Sequence, residues 1–246
     1  MARYFIEVSY KGTRYSGFQI QENAITIQSE IEKAFQTLHR HPVHLTGSSR
    51  TDAGVHALQN FFHFDFDAEV HPQAVYKLNA ILPDDIVVQR IQAMHAEAHS
   101  RFDALSREYI YRIHRVKNPF LRDTSLYYPF KLDINLLQQG AAMILNQQNF
   151  SAFAKSNSQV NNFNCSIMKS QWIEQGDELI YDIEANRFLR GMVRLITATL
   201  LKAGRGKVSL QEVEQLFVQG GKTVFSVPAH GLYLKAVNYP ANYFSL

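Results

Sequence analysis

An eleven-residue run, HALQNFFHFDF from His56 to Phe66, alternates so that Leu58, Phe62, Phe64 and Phe66 make one apolar face. A strand with such a face must be covered on that side, so the chain is committed to a sheet with something packed on it. The run is entered from GSSRTDAGV, a stretch rich in turn-forming residues, and it therefore starts at a tight bend. The bend carries an arginine, a threonine and an aspartate in succession, Arg50, Thr51 and Asp52.

The flanking sequence supplies more strands and the helices to cover them. RYFIEVSY, Arg3–Tyr10, alternates as a strand and is followed by the loop KGTRYSGFQI. Thr26 caps a helix whose apolar positions Ile27, Ile31, Ala34, Phe35 and Leu38 recur at helical spacing. VHLTGS is a short strand ending at the bend, Pro72 opens a helix to Leu82, and PDDIVVQRIQAM is a further strand. Similar elements recur afterwards. LSREYIYRIHR alternates; Asp133 caps the helix INLLQQGAAMILN; IMKSQWIEQ and ELIYDIEAN form a hairpin turning at Gly176–Asp177. FLRGMVRLITATLLKAG reads as a helix ending at Gly204, SLQEVEQLFVQGG as another, and GLYLKAVNY as a last strand. Two halves of mixed elements, 1–104 and 105–246, without strict alternation of strand and helix, give an α+β class with a largely antiparallel sheet.

Bulk properties bound the function. A chain of 246 residues suits one large domain or two halves sharing a sheet. With 46% hydrophobic and 19% charged residues it has a globular composition, and no run of about 18 apolar residues marks a membrane span. The start, MARYFIEVSY, lacks the basic-then-apolar pattern of a secretory signal. One cysteine, Cys165, allows neither an internal disulfide nor a cysteine-rich metal site, which suits a reducing cytoplasm. The net charge of +3 says little, but its distribution is uneven. Between Arg187 and Lys207 lie six basic residues, Arg187, Arg190, Arg194, Lys202, Arg205 and Lys207, and no acid. This stretch is either a solvated face or a phosphate-binding one.

Asp52 has a plain reading, a carboxylate accepting backbone N–H groups at a turn, and a chemical one. The chemical reading draws on the rigid mouth of a strand, on Arg50 and Thr51 before it and on His56 four residues later. A neighbouring cation favours the ionised form, which a nucleophile or general base requires. Arg194 falls among Met192, Val193, Leu195 and Ile196, and on a helix through 188–204 it shares a face with Arg190 and Arg187. So apolar a setting calls for an acid partner, with Asp52 a candidate, or for snorkelling to solvent. Tyr109 and Tyr111 share a strand face with Arg107, either as core or as a platform for a nucleobase. His95 and His99 have metal spacing for a helix but no third ligand, and no nucleotide-binding or hydrolase fingerprint occurs.

These segments together resemble the tRNA pseudouridine synthase A family. GSSRTDAGVHALQNFFHFD resembles its signature, Arg-Thr-Asp-x-Gly-Val-His; YKGTRYSGFQIQ resembles its first loop, with Phe18 in place of the usual tryptophan. TIQSEIEKAF, LNAILPDDIVV, RFDALSREYIYRI, NRFLRGMVRLI and PAHGLYLKAVNYP follow in the family's order, from Tyr4 to about Tyr239. The resemblance implies two related halves whose strands make one continuous mixed sheet with a basic central cleft. It implies that a uridine of tRNA is detached, turned and rejoined through C5, at positions 38 to 40 of the anticodon arm, without metal or cofactor. Asp52 is then the catalytic carboxylate, Tyr109 the aromatic against the base and Arg194 the partner of Asp52. Arg50, Thr51, His56, Arg107, Arg187, Arg190, Lys202, Arg205, Lys207 and Leu232 are implied in substrate binding, and a cytoplasmic homodimer is implied as the working form. The departures are Phe18, Ala198 where glycine is frequent, the loop 155–168, and the apolar stretch KTVFSVPAHG. The alternatives are a non-catalytic tRNA-binding protein of the same fold and an aspartate-dependent hydrolase; the latter lacks a second carboxylate near Asp52 in sequence.

Overall fold

The computed structural model describes residues 1–155, 161–219 and 221–245. Contacts divide the chain into two compact units, Met1–Leu105 with Leu234–Leu246, and Ser106–Tyr233. A division of the sequence at 104/105 leaves the last strand with the second half; the contacts place 234–246 in the first unit.

The first unit holds β1 (Ala2–Tyr10), α1 (Ile27–His39), β2 (Thr46–Gly47), β3 (His56–Phe66), α2 (Ala74–Ile81) and β4 (Ile86–Met94). β1 is antiparallel to both β3 and β4, and β2 pairs antiparallel with β3. Thr26 caps α1 as expected: its hydroxyl accepts from Ser29 N–H, and the Ser29 hydroxyl accepts from Thr26 N–H. α1 buries Ile27, Ile31, Ala34 and Phe35, with Phe35 edge-on to Phe64 at 4.9 Å.

β3 departs from a simple two-faced strand in two ways. Its opposite face is apolar too, because Phe61 packs on Tyr239 and Phe244, both at 5.3 Å between ring centres. Phe5 of β1 joins them through Tyr239 and Tyr243. The chain end thus covers the face that alternation alone assigns to solvent. Leu58, in turn, is 52% exposed. Register shifts between Val8–Asn60 and Tyr10–Ala57, so β3 carries one extra residue there and the alternation restarts. Leu58 falls on the bulge, next to the bend.

The second unit holds β5 (Ser106–His114), β6 (Leu126–Tyr127), α3 (Ile134–Leu145), β7 (Ile167–Gln175), β8 (Glu178–Ala185), α4 (Met192–Gly204) and α5 (Leu210–Val218). A final strand, β9 (Leu232–Asn238), begins here and runs on into the first unit. β8 is antiparallel to β5 and β7, whereas β6 is parallel to β5, so the pairing is mixed but mainly antiparallel and the class is α+β. Asp133 caps α3 by accepting from Leu136 N–H at 3.1 Å, and Ser209 caps α5 in a capping box with Glu212. α4 starts at Met192, not at Phe188. Gly191 sits at φ 73°, a left-handed conformation that interrupts a right-handed helix and that glycine adopts without strain. Arg187 and Arg190 therefore precede the helix and do not share a helical face with Arg194.

Candidate functional site

In the first unit the chemistry gathers at 50–56. The bend is closed by Val55 N–H donating to the Asp52 carbonyl at 3.1 Å, with Gly54 at φ 76°. Asp52 is half-buried and Arg50 exposed. Thr51 and His56 are not exposed; they are 7% and 1% accessible and face inward, so they brace the bend from below instead of presenting a surface. The Thr51 hydroxyl lies 2.9 Å from the Tyr10 hydroxyl. Asn60 Nδ2 donates to the Tyr10 oxygen at 3.2 Å and to the Ser49 carbonyl at 3.1 Å. Burial pushes the Tyr10 phenol up to about 12, so it stays a neutral hydroxyl at working pH. His56 Nδ1 accepts from Gly12 N–H at 3.0 Å, which places the proton of a neutral ring on Nε2.

The loop 11–18 lies against the bend like a splint. Phe18 N–H donates to the Thr51 carbonyl at 3.1 Å, and Gly54 N–H points to the Tyr15 carbonyl at 3.4 Å. Gly17, at φ 98°, passes so close that a Cβ there would stand 2.9 Å from the Thr51 carbonyl oxygen. The loop is itself pinned to Asp85, whose carboxylate accepts from the Tyr15 hydroxyl at 2.5 Å and from Arg14 Nε at 2.7 Å. Phe18 is core: it is 2% exposed, packs tilted on Phe62 with ring centres 4.6 Å apart and fills the space above Gly47. Tyr10, Asn60 and Asp85 were not singled out from sequence. The signal was there in Tyr10, a phenol at the end of a core strand that requires a buried partner for its hydroxyl.

In the second unit Tyr109 and Tyr111 of β5 share a face, as their spacing predicts, but their surroundings differ. Tyr111 is fully buried, and its hydroxyl donates to the Pro228 carbonyl at 2.8 Å. Tyr109, 9% exposed, meets Phe188 edge-on at 5.1 Å. Arg107 Nη1 reaches the Asn186 carbonyl at 3.3 Å. Arg194 is half-buried on the first turns of α4, and its Nε donates to the Val227 carbonyl at 2.8 Å. Burial raises the Tyr111 phenol strongly, and the Arg194 charge opposes part of that rise. Burial also lowers His230, against the pull of Asp123, with Arg194 adding to the lowering.

The basic stretch divides by local contact. Arg190 and Lys207 are exposed, and Arg187 is half-buried with its charge acting on the Cys165 thiol, which burial pushes up to about 11. Lys202 Nζ lies 2.7 Å from the centre of the Phe225 ring, and the Arg205 guanidinium lies 3.8 Å from that of Phe130. Leu232 is 6% exposed, in the core at the start of β9. His95 and His99 lie in a loop, so helical spacing is not realised; among the described residues no group of three or more His, Cys, Asp or Glu could hold a metal. Among the described helices none is long and apolar enough to cross a membrane. Part of the loop 155–168, residues 156–160, lies outside the described residues.

A family model described as tRNA pseudouridine synthase matches residues 6–103 and 141–240. The chain is 39% identical over 251 aligned positions to the tRNA pseudouridine synthase A of Porphyromonas gingivalis, covering 99% of this chain and 100% of that one. It is 37% identical to the protein so named from Exiguobacterium sibiricum and 38% to that from Bacteroides fragilis, each with 98% of both chains covered.

Proposed function

The chain belongs to the tRNA pseudouridine synthase family, and from that membership we propose that it isomerises uridine to pseudouridine in the anticodon arm of tRNA, at positions 38 to 40. The single observation that carries the assignment of roles is the braced bend at Asp52, held by Thr51 and His56 from below and by the loop 11–18 from the side. The reaction breaks the N1–C1′ bond, turns the base and joins C5 to C1′; C5 loses a proton and N1 gains one, so mass is unchanged. Asp52 serves it by attack at C1′, by addition at C6 or by removal of the C2′ proton. Each route needs an ionised carboxylate held in one place, and a rigid bend supplies the second condition.

Tyr109 presents its ring to the target base, with Phe188 edge-on behind it fixing the ring plane. Arg194 serves as the cationic partner of Asp52: with Nε committed to the Val227 carbonyl, the terminal nitrogens keep the paired geometry that suits a carboxylate. Arg50, exposed beside Asp52, suits the phosphate backbone or the gap left by the flipped base. Arg190 and Lys207 suit phosphates as well. The working form is a cytoplasmic homodimer, as the resemblance implies.

The test is carbodiimide labelling of an unmodified tRNA transcript after incubation with the protein, read at single-nucleotide resolution. Conversion at 38, 39 or 40 by the wild type, and none by Asp52→Asn at unchanged stability, is the expected result. Turnover by Asp52→Asn above a few per cent of wild type sinks the role of Asp52, and conversion elsewhere in the tRNA sinks the choice of uridine.

A further inference from the structure

We infer that Phe225, with Lys202 seated on its ring, is a stacking place for an unpaired nucleobase adjacent to the target uridine; the inference rests on the tRNA reading above. The stretch KTVFSVPAHG is apolar, yet its centre is turned outward: Val224 is 79% exposed and Phe225 56%. This outward turn is held in place on both sides. Thr223 N–H donates to the Ala152 carbonyl at 3.0 Å on one side. On the other, the Val227 carbonyl accepts from Arg194 Nε at 2.8 Å and the Pro228 carbonyl accepts from the Tyr111 hydroxyl at 2.8 Å. A segment tied at both ends presents its middle residues in a fixed direction, so the aromatic ring faces solvent by construction.

The ring is accompanied by charge of one sign. Lys202 comes from the last turn of α4, and Arg205, one turn on, lies over the half-exposed ring of Phe130. One helix end thus supplies cations to two exposed phenylalanines. A flat π face beside an ammonium offers the two surfaces a nucleotide uses, one for the base and one for its phosphate. The stretch Arg187–Lys207 has six basic residues and no acid, which suits RNA and opposes a basic partner. Phe225 is two residues from Val227, hence within about 7 Å of it along the chain. Val227 holds Arg194, the proposed partner of Asp52, so a base on Phe225 lies close to a residue of the proposed reaction site.

The plainer alternative is a lysine stem that merely shields an exposed ring, and the test separates the two. Phe225→Trp, Phe225→Leu, Phe225→Ala and Lys202→Ala are made in the full chain and titrated with an unmodified tRNA transcript. The tryptophan at 225 is expected to lose emission and become shielded from acrylamide when the transcript binds, above the wild-type background from Trp172, which is 3% exposed. Phe225→Ala is expected to raise Kd and KM about fivefold or more with kcat within about twofold, because one base loses its stack. Phe225→Leu should not restore them and Phe225→Trp should. Lys202→Ala, unlike Phe225→Ala, should reduce the salt dependence of binding. Unchanged emission and quencher access in the bound state, or wild-type Kd in Phe225→Ala, overturns the assignment. The carbodiimide assay of the wild type on the same transcript is run in parallel. A wild type that forms no pseudouridine overturns the synthase reading, whereas one that does, with an unshielded tryptophan at 225, overturns the stacking site alone.

Discussion

The Tyr10 hydroxyl lies 2.9 Å from the Thr51 hydroxyl, and both groups are buried under the bend that carries Asp52. Tyr10 is buried at the end of β1, a strand paired on both edges, so this bond ties the candidate catalytic loop to the core of its unit. Removing the phenol oxygen leaves Thr51 and Asn60 Nδ2 each short of a buried partner. Tyr10→Phe is therefore expected to lose about 1–2 kcal/mol of stability. It should also lower kcat about tenfold, since misplacement of a reacting group is costly, while tRNA Kd stays within about twofold. Urea unfolding and a comparison of kcat with Kd check it; a rise in Kd with kcat unchanged contradicts the bracing role.

Much of the fold was legible in the sequence because its signals are local. Thr26, Asp133 and Ser209 cap helices through bonds to residues only three positions on. The hairpin β7–β8 turns where Gly176 permits φ 59°. What stayed hidden depends on partners far along the chain. Phe61 is buried because Tyr239 and Phe244 arrive from the other end, and no periodicity within β3 reports that. The start of α4 was misplaced because 188–190 is as apolar as the helix after it, and only the conformation of Gly191 separates them. At the site, the residue types of the bend were readable, but the inward aim of Thr51 and His56 was not. Both bond to β1 or the loop after it, more than 40 positions away.

Arg194→Lys is expected to lower turnover by about a hundredfold or more while conserving charge. Arginine holds the Val227 carbonyl with Nε and has two further nitrogens in the same plane. A lysine ammonium is a single point donor and cannot serve the carbonyl and a carboxylate with the same fixed geometry. Loss of the bond to Val227 should cost about 1–2 kcal/mol of stability as well. Single-turnover pseudouridine formation and thermal unfolding test the two parts separately, and turnover within about tenfold of wild type contradicts the paired role.

Arg190 and Lys207 are exposed, and both lie in the acid-free stretch. If each neutralises a tRNA phosphate, alanine at either position should reduce the magnitude of the slope of log Kd against log salt by about 0.7–0.9. Lys131, exposed and outside that stretch, serves as the control and should leave the slope unaltered. Equal slopes for wild type and both variants make Arg190 and Lys207 solvated surface charges.

Acid is expected to destabilise the fold through His63. This ring is 7% exposed, and its Nδ1 accepts from Ser100 N–H at 3.2 Å and lies 2.9 Å from the Ser100 hydroxyl, which donates to the Thr46 carbonyl. Burial, with the charges of His99 and Arg3 adding to it, lowers its pKa from 6.5 to about 4. Folding therefore holds the ring neutral between those values, whereas the unfolded chain takes up a proton as pH falls through 6.5. The unfolded state binds more protons in that window, so stability falls on acidification from about pH 6.5 to about pH 4 and levels off for this group below. The loss is of the order of 3 kcal/mol when the whole window is crossed. His63→Asn keeps an acceptor for Ser100 N–H in the Nδ1 position but has no proton to gain. Its urea midpoint should decline less steeply than that of the wild type between pH 6.5 and 4, even if it starts lower at pH 7. Parallel declines would mean that His63 titrates alike in both states, and that other histidines, such as buried His114 and half-buried His230, whose pKa values burial also lowers, set the acid limb.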